Sequence, residues 1–152
     1  MRNIALLLLL ACTLPVSAAT DAELERLEAL RLAGDYQAAL EQGRDDLEVE
    51  PDDSRLLHLM GELELATGKL DDAATRFRRV IELSGQDSLM ARSKLAEVHL
   101  QRGERQAAAK QWRQIREAYQ TRAGLSTRDL HAVAEATRHL GKSDPQLFKQ
   151  AV

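Results

Sequence analysis

Aromatic residues are scarce in this chain of 152 residues: two Phe, two Tyr and one Trp, 3% of the sequence. A packed core must then come from Leu and Ala, which with abundant Glu, Arg and Gln favour helix over strand. Cysteine occurs once, at Cys12, so no disulfide can form within the chain and no multi-thiolate metal centre exists. Three Pro and eight Gly are too few for a long structureless linker. Positive charge is not in excess; a net charge of −3 gives no electrostatic footprint for nucleic acid. Catalytic signatures are missing too: there is no Gly-x-Ser-x-Gly elbow, no His-Glu-x-x-His and no phosphate-binding glycine loop. The acidic pairs Asp45-Asp46, Asp52-Asp53 and Asp71-Asp72 are sequence neighbours, which point apart on a helix and build no acid–base pair. Carboxylates at helix starts answer to the macrodipole instead. A non-enzymatic chain without cofactor or metal is therefore expected.

What is present begins with a leader. Met1 and Arg2 precede an apolar run from Ile4 to Leu14, then Pro15 and the small residues Ser17, Ala18 and Ala19. This is the pattern of a secretory signal peptide, too short to span a bilayer, with cleavage expected after Ala19. A periplasmic or secreted location follows. Leu9-Leu10-Ala11-Cys12 offers a second reading, a lipobox in which Cys12 is lipidated and anchors an envelope lipoprotein. Membrane contact is expected only in that case.

From residue 20 onward the chain repeats. Gly34, Gly68 and Gly103 are 34 and 35 residues apart, and each closes one helical run and opens another. Ala39, Ala73 and Ala108 follow each glycine by five residues, small enough for two helices to approach. Four residues further on, Phe77 and Trp112 fill the gap between helix pairs, whereas the first copy has Gly43. Gly141-Lys142-Ser143-Asp144-Pro145 opens a fourth copy after a longer connection. These residues resemble the tetratricopeptide repeat (TPR) family, most fully in the second copy, with Leu57, Met60, Gly61, Gly68, Ala73 and Phe77. The third copy supplies Leu95 and Ala96, the fourth Leu130, Val133 and Ala134. Glu23, Arg26, Arg92 and His99 depart from the pattern. The resemblance implies an all-α, right-handed α-solenoid of antiparallel helix pairs, about three and a half repeats long, at residues 20–53, 54–87, 88–121 and 127–152.

Helices are expected at 21–33, 36–49, 54–67, 70–83, 88–102, 105–120, 127–140 and 145–152, with Asp53, Ser126 and Asp144 as starting residues. The last helix would expose Leu147, Phe148 and Val152. Either the chain continues as a longer protein, or this helix docks a partner or a second copy of the chain.

The first helix of each pair lines the concave face of such a solenoid, the usual binding surface of the family. One register position there holds Glu28, Glu62, Glu97 and Glu135, with His58, His131 and His139 beside it. A line of carboxylates focuses negative potential and favours a peptide with spaced basic groups. The Lys and Asn with which family members grip acidic C-termini are missing. His131, Glu135 and His139 share one helix face, but with no fourth ligand no metal site is expected. Residues 20–53 carry 12 acidic and 3 basic side chains, residues 88–152 carry 6 and 12, a polarity suited to head-to-tail association. The resemblance thus implies an envelope protein-interaction scaffold that binds a protein or peptide. The alternatives are a non-catalytic segment of a larger secreted enzyme and an envelope assembly lipoprotein.

Overall fold

The structure, a computed structural model, describes residues 21–85 and 88–143. The leader, Cys12 and the helix expected at 145–152 lie outside these residues. The described residues form seven helices and no strand: α1 (Asp21–Ala33), α2 (Tyr36–Val49), α3 (Ser54–Ala66), α4 (Leu70–Ser84), α5 (Leu89–Gln101), α6 (Arg105–Thr121) and α7 (Thr127–Ser143). Consecutive helices pack as antiparallel pairs. In addition α1 touches α3, α3 touches α5 and α5 touches α7, so the odd helices form one continuous row. This is a TPR-like helical solenoid, and the touching row is its compressed, concave side.

The local signals act as their chemistry requires. Gly34, Gly68 and Gly103 have φ of 80°, 76° and 77°, which an L side chain resists. Each forms the same double turn. In the second, the Gly68 amide donates to Leu65 O at 3.1 Å and the Lys69 amide to Glu64 O at 2.7 Å. Asp53 starts α3 by accepting the amides of Arg55 (2.8 Å) and Leu56 (3.0 Å). At α7 the cap is reciprocal: Ser126 Oγ accepts the Asp129 amide at 3.2 Å, and Asp129 Oδ2 accepts the Ser126 amide at 3.1 Å.

Packing follows the small-and-large alternation. Ala39, Ala73 and Ala108 are all fully buried. Gly61 on α3 lies against the Phe77 ring of α4, and a Cβ placed there would sit 2.8 Å from Phe77 Cε1. The missing plug of the first copy is supplied from the other side: Met60 of α3 fills the space over Gly43 of α2. One apolar cluster runs from Leu27 to Val98, and a second joins Leu89, Ala96, Trp112, Ile115 and the buried face of α7. Ion pairs also tie successive pairs together. Asp21 meets Arg55 at 2.7 Å, Asp52 meets Arg79 at 2.8 Å, and Asp71 meets Arg102.

Two expectations are corrected at the fourth copy. Gly141 does not end a helix; α7 runs through it to Ser143. The helix interior accepts glycine at a cost of about 1 kcal/mol, so the residue alone does not dictate a stop. The buried face also differs. Ala132, Val133, Ala136 and Leu140 are buried, whereas Leu130 is 49% exposed and Ala134 faces solvent. Only Val133 of the three residues expected in this core is there.

Candidate binding groove

The odd-helix row carries the four glutamates of the repeated register: Glu28 on α1, Glu62 on α3, Glu97 on α5 and Glu135 on α7. All keep access to solvent, and none stands alone. Arg31 Nε donates to Glu28 at 2.8 Å, one turn along α1. Glu62 has His58 at 3.6 Å and Lys94 of α5 at 4.0 Å. The same Lys94 lies 3.2 Å from Glu97, bridging two repeats. Arg138 donates to Glu135 at 2.5 Å, and His139 sits 3.6 Å from that carboxylate. The row is therefore a ladder of mixed charge. Arg31, Lys94 and Arg138 offset most of the focused negative potential that glutamates alone would give.

Titration behaviour follows these contacts. Arg31 draws the Glu28 carboxyl below its ordinary range, and the Arg128 charge of α7 adds to this. His58 does the same for Glu62, with help from Lys94 and Arg31 against the opposing effect of burial. Arg138 lowers Glu135, reinforced by His139 and His131. Glu64, the neighbour of this row on the far face of α3, behaves oppositely. It is 4% exposed, and burial pushes its carboxyl up despite Arg76 at 3.5 Å.

The row opens into a cavity of about 310 Å³ where α5, α6 and α7 meet. Met90, Leu100 and Trp112 supply apolar surface; Ser93, Lys94 and Glu97 form the α5 wall. His131, Glu135, Arg138 and His139 form the α7 wall. The His139 ring lies flat against the Trp112 indole, centroids 4.2 Å apart and planes 7° from parallel. Trp112 is 5% exposed and belongs to the second core, as its position in the repeat requires. Of the residues singled out in the sequence, Glu97, His131, Glu135 and His139 share this cavity. Glu28, His58 and Glu62 lie further along the row. His58 sets the edge of its ring on Phe77, at 5.6 Å between centroids.

Sequence reasoning passed over the cations of the groove and the role of His99. His99 is 9% exposed, and its Nδ1 lies 2.5 Å from the Glu104 carboxylate across the α5–α6 turn. It is thus a paired core histidine. The i+3 spacing of Arg31 after Glu28, Lys94 before Glu97 and Arg138 after Glu135 was the available signal. Among the described residues no three His, Cys, Asp or Glu side chains gather as metal ligands.

Comparison with known proteins supports the architecture. The crystal structure of MamA, a TPR-like protein, superposes with a TM-score of 0.58 at 17% sequence identity, covering 83% of this chain and 81% of that one. At that identity the likeness is one of fold. No family profile matches the sequence, and no curated protein matches it.

Proposed function

We propose that this chain is a protein-interaction scaffold that holds a partner segment along its concave groove and works by binding, without catalysis. The observation that supports this most directly is the row itself. Solvent-reaching polar side chains at one register of α1, α3, α5 and α7 lead into an open cavity on a rigid, doubly packed support. Basic groups on the partner would meet the glutamates by displacing Arg31, Lys94 or Arg138. That exchanges one exposed ion pair for another, each worth about 0–1 kcal/mol. The carboxylate row then sets register and salt dependence, while shape and apolar contact supply most of the affinity.

We propose further that this scaffold works in the bacterial cell envelope, because the leader at residues 1–19 has the pattern of an export signal. Labelling with a lipid precursor, with Cys12→Ser as control, distinguishes anchoring at Cys12 from release after Ala19. The test of the binding function is affinity capture from envelope extract, comparing the protein with its Glu62→Gln/Glu97→Gln variant. Partners that bind the protein and are weakened by the variant, most strongly at low salt, are the expected result. Partners held equally by both would move the binding surface away from the groove.

A further inference from the structure

The cavity between α5, α6 and α7 has a chemistry distinct from the rest of the row. At about 310 Å³, it lies at the small end of the roughly 300–1,000 Å³ range of ligand sites, room for one large side chain. Its charged walls are already matched, Lys94 with Glu97 at 3.2 Å and Arg138 with Glu135 at 2.5 Å. Both pairs keep contact with solvent, so a charged group entering here exchanges one exposed ion pair for another and gains little. An uncharged apolar group gains from burial against the rest of the lining. Ser93 and His131 add two polar groups, and the rest of the lining is apolar and soft, from Met90 and Leu100, beside the stacked rings of Trp112 and His139. Stacked rings and thioether sulfur both favour an aromatic neighbour over an aliphatic one.

We infer that this cavity is the anchor pocket for one uncharged aromatic side chain, Phe or Tyr, presented by the partner segment. The inference rests on the groove reading above and adds the chemistry of the partner. Flanking residues of that segment then lie along the ladder toward Glu62 and Glu28. The aromatic anchor fixes the segment at the α7 end.

A random decapeptide library panned on the purified protein tests this without knowledge of the natural partner. The expected selection carries one Phe or Tyr at a fixed position, and changing it to Ala or Lys weakens binding at least about tenfold. Trp112 is the only tryptophan in the chain, so binding of a selected Phe peptide should shift its emission directly. Two variants check the location. His139→Ala removes the stacked ring; Ser93→Phe fills the pocket from the α5 wall and leaves the core residues in place. Either should weaken the peptide at least about tenfold while the far-ultraviolet circular dichroism is retained. Peptides selected for Lys, Arg, Asp or Glu and blocked by Ser93→Phe would overturn the aromatic anchor yet keep the groove as binding surface. Peptides indifferent to Ser93→Phe, to His139→Ala and to Glu62→Gln/Glu97→Gln, or no selected peptide at all, would overturn both.

Discussion

Gly61→Ala tests the packing logic of the solenoid, because two effects of opposite sign meet at one atom. Gly61 lies in the middle of α3, where alanine is favoured over glycine by about 1 kcal/mol through helix propensity. On propensity alone the variant would be more stable. The added Cβ, however, would lie 2.8 Å, 2.9 Å and 3.1 Å from Cε1, Cζ and Cδ1 of Phe77. That ring is fully buried and held among the core residues of the first cluster, so it must move as a body. Overpacking of this kind costs about 1–3 kcal/mol, and contact with one whole edge of a rigid ring lies toward the upper end. The net expectation is a loss of about 1–2 kcal/mol, a fall in melting temperature of roughly 3–8 °C. Urea unfolding followed by circular dichroism at 222 nm measures it. The double variant Gly61→Ala/Phe77→Leu should recover part of the loss, since the two changes are not independent. A Gly61→Ala protein as stable as the parent, or more stable, would show that the close approach of α3 and α4 does not limit this position. Gly43→Ala is a graded comparison: its Cβ would press on the Met60 thioether, which bends more readily than a ring, so its cost should be smaller.

Other expectations follow from single residues. Gly68→Val should lower the melting temperature by several degrees, because φ of 76° is strained for a β-branched residue even with open space around it; an unchanged melting curve would refute that role. Leu27 is the only fully buried residue of α1, so Leu27→Ala, at about 2–5 kcal/mol, should release that helix first and be seen as lost amide-exchange protection confined to it. Glu64 and Glu62 should act oppositely with pH. Burial raises the Glu64 carboxyl and its Oε2 has no hydrogen-bond partner, so its charged form costs stability above the raised value and the cost disappears below the ordinary 4.5. Glu64→Gln should therefore stabilise by about 1 kcal/mol at pH 7, with the gain fading as pH falls through the carboxylate range. Glu62 is lowered by His58, so its contribution is full above 4.5 and is lost on further acidification; Glu62→Gln should flatten the acid limb of the stability curve, and an unchanged limb would refute the pairing.

The features legible in the sequence were those with a local cause. Gly34, Gly68 and Gly103 mark turns because their backbone needs positive φ, and the helix ends around them follow. Ala73 and Phe77 declared their packing because size alternates at helical spacing. Gly141 was misread because the same residue type also fits a helix interior, and the neighbours that stop a chain at Gly103 do not stop it there. The register of α7 was misread because the repeat pattern of the earlier copies was carried onto it. That pattern put Leu130 and Ala134 in the core, whereas the helix's own i, i+4, i+8 spacing of Ala132, Ala136 and Leu140 marks the face that is buried. The row Glu28, Glu62, Glu97 and Glu135 was visible as a register, but its charge balance was not. Lys94 acquires Glu62 as a neighbour only when α3 and α5 lie side by side. The Met60–Gly43 exchange was hidden likewise, since the filling side chain comes from the following helix and not from the one with the gap.

The placement of α5 has a consequence for cooperativity. Ala91, Leu95 and Val98 belong to the cluster on its N-terminal side, Leu89 and Ala96 to the cluster on the other. Thirteen residues, Leu89–Gln101, are thus the common wall between two oily compartments. In a stack where each unit feels only its neighbours, free energy passes from one half to the other through that wall. A ligand seated against Trp112 stabilises the C-terminal compartment directly, and the N-terminal one only as far as α5 transmits it. Indole fluorescence reports one compartment, whereas helical circular dichroism reports both. The interval between the two unfolding curves, with and without ligand, is a reading of how strongly a single helix couples the ends of the solenoid.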